Sequence, residues 1–257
     1  MQHIQKHYNL YENLGYWFLV LVLLAVAGFY TSYLLIIFQP TLPIIHIHFV
    51  GMTLWMMMLV AQPFLIKYKK LSIHRMLGKI SYVLVPLVLL SGFLMIRHSY
   101  YREIDGLQHK ANQGLILLNN DQILQQAAAY EAIAFFWLFM FITFYSLAII
   151  NRRNSTVHAR YMLATALSLL GPIVDRIVFF VFKLKTLTTS IPIEVVAFFI
   201  ADIVLAILLW KDYQEKRPIK ALRIALLIYI IGQVLYFTIP YTSGWQHFVA
   251  LVMKPNP

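Results

Sequence analysis

The chain has 257 residues, of which 61% are hydrophobic and only 12% charged, with a mean hydropathy of +0.72. Soluble domains run at roughly 45–50% apolar and 25% charged, so an ordinary soluble globular fold is excluded. The net charge of +11 reads as a set of membrane-topology signals, with no nucleic-acid partner implied. The absence of cysteine excludes disulfides, thiolate nucleophiles, Cys-ligated zinc and iron–sulfur clusters.

Taken in chain order, seven apolar segments are each long enough to cross ~30 Å of hydrocarbon as helix. They lie near 16–38, 44–66, 74–96, 127–150, 157–182, 190–210 and 221–240. The first is too long for a signal-peptide core and runs into Gln39, Pro40, Thr41, Leu42 and Pro43, with no small-residue cleavage site, so it is expected to be retained. Between the third and fourth segments, residues 97–126 are polar. Gly106, Gly114 and Asn119–Asn120 act as breakers there, which predicts an outer loop forming a folded cap or a partner-docking surface.

Seven crossings place the termini on opposite sides. One side collects fourteen basic residues: Lys6, Lys67, Lys69, Lys70, Arg75, Lys79, Arg152, Arg153, Arg160, Lys211, Lys216, Arg217, Lys220 and Arg223. The other has six, namely Arg97, Arg102, Lys110, Lys183, Lys185 and Lys254, while Arg176 lies within a segment. The imbalance predicts a cytoplasmic N-terminus and an external C-terminus. The expected fold is therefore all-α, a single polytopic transmembrane bundle over residues 1–257.

An internal echo links the approaches to the third and fifth segments. Lys69-Lys70-Leu71-Ser72-Ile73-His74-Arg75-Met76-Leu77 is answered 84 residues later by Arg152-Arg153, Ser155, His158, Arg160 and Met162-Leu163, and Trp55 and Trp137 precede them at similar distances. This reads either as parallel repeats or as two helix starts shaped independently by capping and by the positive-inside rule.

Ionisable groups inside apolar segments are costly and are functional candidates by default. His74 and His158, at matching depth on the inner boundary, form the first candidate site, as axial metal ligands of a b-type haem. Arg75 and Arg160, with Lys79, would pair with its propionates. The competing reading has these side chains meeting lipid phosphates at the interface.

The second candidate is the outer set His48, Glu131, Asp175, Arg176 and Glu194, suited to proton relay, substrate orientation or a transition metal. His48, Met52, Trp55, Leu59 and Gln62 recur at spacings of 4, 3, 4 and 3, one helix face that should look into the bundle. His46 lies about 200° away from His48 around the helix. Asp175 and Arg176 point ~100° apart and are expected to form ion pairs with other helices, with Glu131 a partner for Arg176. His74 and His98 bracket a segment ~36 Å long, too far apart for both to serve haems in the hydrocarbon. Met56, Met57 and Met58 face three directions, which suits core filling better than a copper site.

The pattern of His48, Trp55, Gln62, then His74-Arg75-x-Leu77-Gly78, then His158-x-Arg160-x-Met162 resembles a family of uncharacterised multi-spanning proteins of the bacterial inner membrane. The resemblance implies that location. A looser similarity to small membrane b-type cytochromes implies haem ligation by bundle histidines, although the fourth segment here lacks the histidine of two-haem members.

Three functions follow as expectations. The first is a membrane redox protein exchanging electrons with quinone or a respiratory complex through haem b. The second is a proton-coupled transporter using the outer His/Glu/Asp/Arg cavity, and the third an accessory or assembly subunit that docks a partner through residues 97–126.

Overall fold

A computed structural model describes residues 13–184 and 192–254. They form ten α-helices with no strand among them, so the all-α reading holds. Lys6, Lys185 and the start of the sixth apolar segment lie outside the described residues. Contacts cluster into two units, Met1–Val88 and Leu89–Pro257, and the boundary falls within one helix.

Unit 1 contains α1 (Leu14–Tyr30), α2 (Pro43–Lys67) and the first half of α3 (Leu71–Asn112). The first apolar run was expected to form one helix to residue 38, but α1 stops after 17 residues. The chain leaves the helix to bury Tyr33 against α2, with its hydroxyl 2.6 Å from His46 Nδ1 and its ring centroid 4.3 Å from that of Phe49. On α2 the expected inward face is realised: Trp55 and Leu59 are its buried residues, flanked by half-buried His48, Met52 and Gln62.

α3 corrects the expected boundary of the third segment. At 42 residues it is about 63 Å long at 1.5 Å per residue, roughly twice the hydrocarbon thickness. Residues 97–112, expected in the outer loop, continue the helix because Ile96, Tyr100, Ile104 and Leu107 repeat on one face. In unit 2 that face packs with Ile123, Ala127 and Ala128 of α4 (Asn120–Tyr130) and with Val249 and Met253, on or just after α10 (Ser243–Val252). The polar segment is thus a helical cap with its own small apolar core. Tyr101 donates to Met253 O, Arg97 to Lys254 O at 2.9 Å, and Trp245 Nε1 to Ala128 O at 2.7 Å, which fasten the C-terminal helix to it.

Helix ends follow local chemistry. Asn119, read as a breaker, is the N-cap of α4. Its side chain accepts from Gln122 N while Gln122 Oε1 accepts from Asn119 N, both at 2.9 Å, a reciprocal capping box. Gly114 (φ 70°) ends α3 in the left-handed conformation suited to glycine, whereas Lys69 (φ 58°) and Lys216 (φ 53°) end α2 and α8 in the same way. There the 6→1 bonds Lys70 N→Leu65 O and Arg217 N→Asp212 O, at 2.7 and 2.8 Å, complete the terminus.

The rest of unit 2 is a bundle. α5 (Ala132–Ile150) and α6 (Ser155–Leu167) form a hairpin, and α9 (Lys220–Thr238) packs on both of them and on α8 (Val195–Gln214). α7 (Leu170–Arg176) packs on α8 and continues into a π-helical turn, Ile177–Val181. A Cβ on Gly171 would fall inside the Trp137 ring, so only glycine allows this approach of α7 to α5.

Five helical stretches are long and apolar enough to cross a membrane: Pro43–Lys67, Leu71–Asn112, Asn120–Ile150, Ser155–Val181 and Lys220–Tyr241. α1 is a shorter apolar helix, and α8 carries Asp202, Lys211 and Asp212 within its length. Lipid is the environment that such surfaces require. The chain is a membrane-embedded helical protein.

Candidate functional site

The repeated approach sequence has a local structural counterpart in each unit. α2 and α3 are joined across residues 68–70, α5 and α6 across 151–154, and each preceding helix buries its tryptophan, Trp55 or Trp137. His74 and His158 are each the fourth residue of their helix and half-buried. The arginines differ, because Arg75 follows its histidine by one residue and Arg160 by two, a rotation of ~100°. Arg75 is exposed on α3 of unit 1, while Arg160 turns into unit 2.

That inward turn completes a buried ion pair. Arg160 Nε and Nη2 lie 2.7 and 2.6 Å from Asp212 Oδ2, with the two side chains 3% and 2% exposed, and Nη1 donates to Thr156 O at 2.9 Å. Arg160 was expected to face propionates; the structure commits it to Asp212 near the end of α8. Asp212 was not singled out in the sequence; it is one of two acids, with Glu215, inside the basic run from Lys211 to Arg223. Two residues before Arg160 on α6, about half a helical turn away, is His158, positioned by the Asn154 cap on Val157 N at 3.2 Å. His158 Nδ1 is 2.8 Å from Ala148 O, so that nitrogen donates and the Nε2 lone pair is directed elsewhere.

The opposite end of the unit 2 helices gathers four of the five residues of the second candidate set. Glu131 sits at the break between α4 and α5, where its own backbone bridges the helices through Glu131 N→Ala127 O and Phe135 N→Glu131 O. Only 2% of it is exposed, and Oε1 is buried with no hydrogen-bond partner in the protein, while Ser99 of α3 is within hydrogen-bonding reach of the carboxyl group. Asp175 and Arg176 end α7 immediately before the π-helical turn, and Oδ1 of Asp175 is likewise buried without a partner. Glu194 is the N-cap residue of α8.

These groups form one electrostatic neighbourhood. Asp175 senses both Arg176 and Glu194; Tyr130 senses Glu131, Glu103, Arg102 and Glu194, and Arg176 senses Tyr130. Tyr236 of α9 reaches the same set through Glu194 and Asp175. Tyr130, Tyr236, Ser99 and Glu103 were not singled out in the sequence, because their relevance depends on which helix ends meet. His48 belongs to unit 1 and Asp202 is 3.0 Å from Gln233 Nε2.

The arrangement has a common structural feature. Glu131, Asp175, Arg176 and Glu194 all lie at helix interruptions or ends, where backbone groups depart from the regular ladder and charged side chains are tolerated within membrane bundles. Among the described residues no three His, Asp or Glu side chains converge as ligands of one ion. No family model, no curated protein and no solved structure matches this chain.

Proposed function

We propose that this protein is a proton-coupled transporter of the bacterial inner membrane, with Glu131, Asp175, Arg176 and Glu194 as the proton and substrate site. The observation that carries the reading is Glu131: an acid 2% exposed, at a helix break, with one carboxyl oxygen buried and no protein partner for it. A bundle does not keep so costly a group for packing alone. A proton or a substrate cation bound to that oxygen offsets the cost. Asp175 gives a second acceptor with Arg176 as its countercharge, and Tyr130 lies within the electrostatic reach of Glu131, Glu194 and Arg176. The basic-residue imbalance supports an external position for this end.

Vesicles reconstituted with the protein and given an inward-negative potassium diffusion potential test the proposal through an internal pH dye. Proton entry is expected in the unaltered protein and is expected to fall to the level of protein-free vesicles in Glu131→Gln. Equal flux in both proteins contradicts the assignment of Glu131.

A second reading, b-type haem ligation and electron exchange with quinone or a respiratory complex, has one observation in its favour. The Nδ1–H of His158 on a backbone carbonyl is the arrangement that orients a ligand imidazole. His158 fits such a role, and Arg160 does not fit as a propionate partner while it holds Asp212. The reduced-minus-oxidised visible spectrum of protein from its native membrane separates the two readings, since only the second gives a b-type band.

A further inference from the structure

At the basic end of unit 2, a shallow groove of about 390 Å³ is lined by Ala206, Leu209, Trp210 and Tyr213 of α8, Ile219 of the connection and Arg223 of α9. Five of these six side chains are apolar or aromatic, and Arg223 is exposed at one position along the wall. Trp210 and Tyr213 are 64% and 67% exposed, an aromatic pair at the level where helices meet lipid headgroups. Lys220 stands one turn before Arg223 on α9, and Lys216 lies in the connection between the two helices. The surface therefore combines a trough for a hydrocarbon chain with a cluster of cations beside it.

We propose that this groove is a binding site for an anionic phospholipid, with one acyl chain along Leu209 and Trp210 and the phosphate held by Arg223 with support from Lys220. The occupant follows from charge complementarity. A zwitterionic headgroup brings its own cation against Arg223 and Lys220, whereas a phosphatidylglycerol-type headgroup presents only negative charge. A guanidinium is suited to the phosphate because its donors are arranged to bond two oxygens together. This site is separate from the Glu131 cluster and does not depend on the transport reading.

Trp210 supplies an internal reporter. The protein is reconstituted into vesicles in which either brominated phosphatidylglycerol or brominated phosphatidylcholine replaces a fixed fraction of unbrominated lipid. Quenching at Trp210 is read as the difference between the chain and its Trp210→Phe variant. Brominated phosphatidylglycerol is expected to quench at about fivefold lower mole fraction, the effect of about one cation acting near a membrane surface. The preference is expected to fall to about one in Arg223→Gln, to be reduced but retained in Arg223→Lys, which keeps the charge and loses the paired donors, and to be unchanged in Arg152→Gln, an exposed base in the α5–α6 turn. Equal quenching by the two lipids in the unaltered chain, or a preference that survives Arg223→Gln, overturns the proposal.

Discussion

Arg160 crosses from α6 to α8 to hold Asp212 with almost no solvent around either group. Removing one partner strands the other charge, while removing both does not. Arg160→Met and Asp212→Leu are each expected to destabilise the folded protein by about 3–5 kcal/mol, and the double variant by far less than the sum. Thermal unfolding in detergent checks this, and additive losses would mean that the two residues stabilise unit 2 independently. The pair also shows what was legible at this scale. His158, Glu131, Asp175, Arg176 and Glu194 could be singled out because a charge within an apolar run is visible in one dimension. Asp212 was hidden because its basic neighbours read only as topology signals on one side of the membrane, and only the fold reveals that α8 turns this acid inward.

At the scale of elements, the inward face of α2 was readable from periodicity alone, and helix starts such as that of α6 were readable to within a few residues. The stretch from 97 to 126 was read through its polarity and its breakers, and that concealed its structure. A helix that leaves the bilayer needs only a narrow apolar stripe, here Ile96, Tyr100, Ile104 and Leu107, and its remaining positions are free to be polar. Asn119 shows the same ambiguity, since an asparagine that interrupts one helix also begins the next. Asn119→Ala is expected to cost about 1 kcal/mol by removing the capping box of α4. Because α4 carries one wall of the cap core, amide hydrogen exchange should rise in α4 and α10 together. A rise confined to the first turn of α4 would show that the cap does not depend on this terminus.

For the whole molecule, apolar composition and segment length were sufficient to identify a membrane-embedded helical bundle. They were insufficient to divide it, because two units that share a helix leave no linker or composition shift in the sequence. The charged groups of unit 2 collect at its two ends: the Arg160–Asp212 pair with Lys216, Lys220 and Arg223 at one, and Glu131, Asp175 and Glu194 with Arg176 at the other. The positive-inside rule predicts that the basic end faces the cytoplasm. The lack of native cysteine makes this directly measurable. In intact cells Lys110→Cys is expected to react with a membrane-impermeant maleimide and Lys216→Cys only after lysis; the reverse pattern would invert the orientation and place the Glu131 end inside.

The central claim is that Glu131 binds and releases a proton within the membrane. Infrared difference spectroscopy of the reconstituted protein, taken between mildly acidic and mildly alkaline buffer, reads that event as a carbonyl stretch of the protonated acid. A band that titrates in the unaltered protein and vanishes in Glu131→Gln is expected, with the helical amide bands unchanged. A spectrum in which no titrating carboxyl band is lost on that substitution would contradict it.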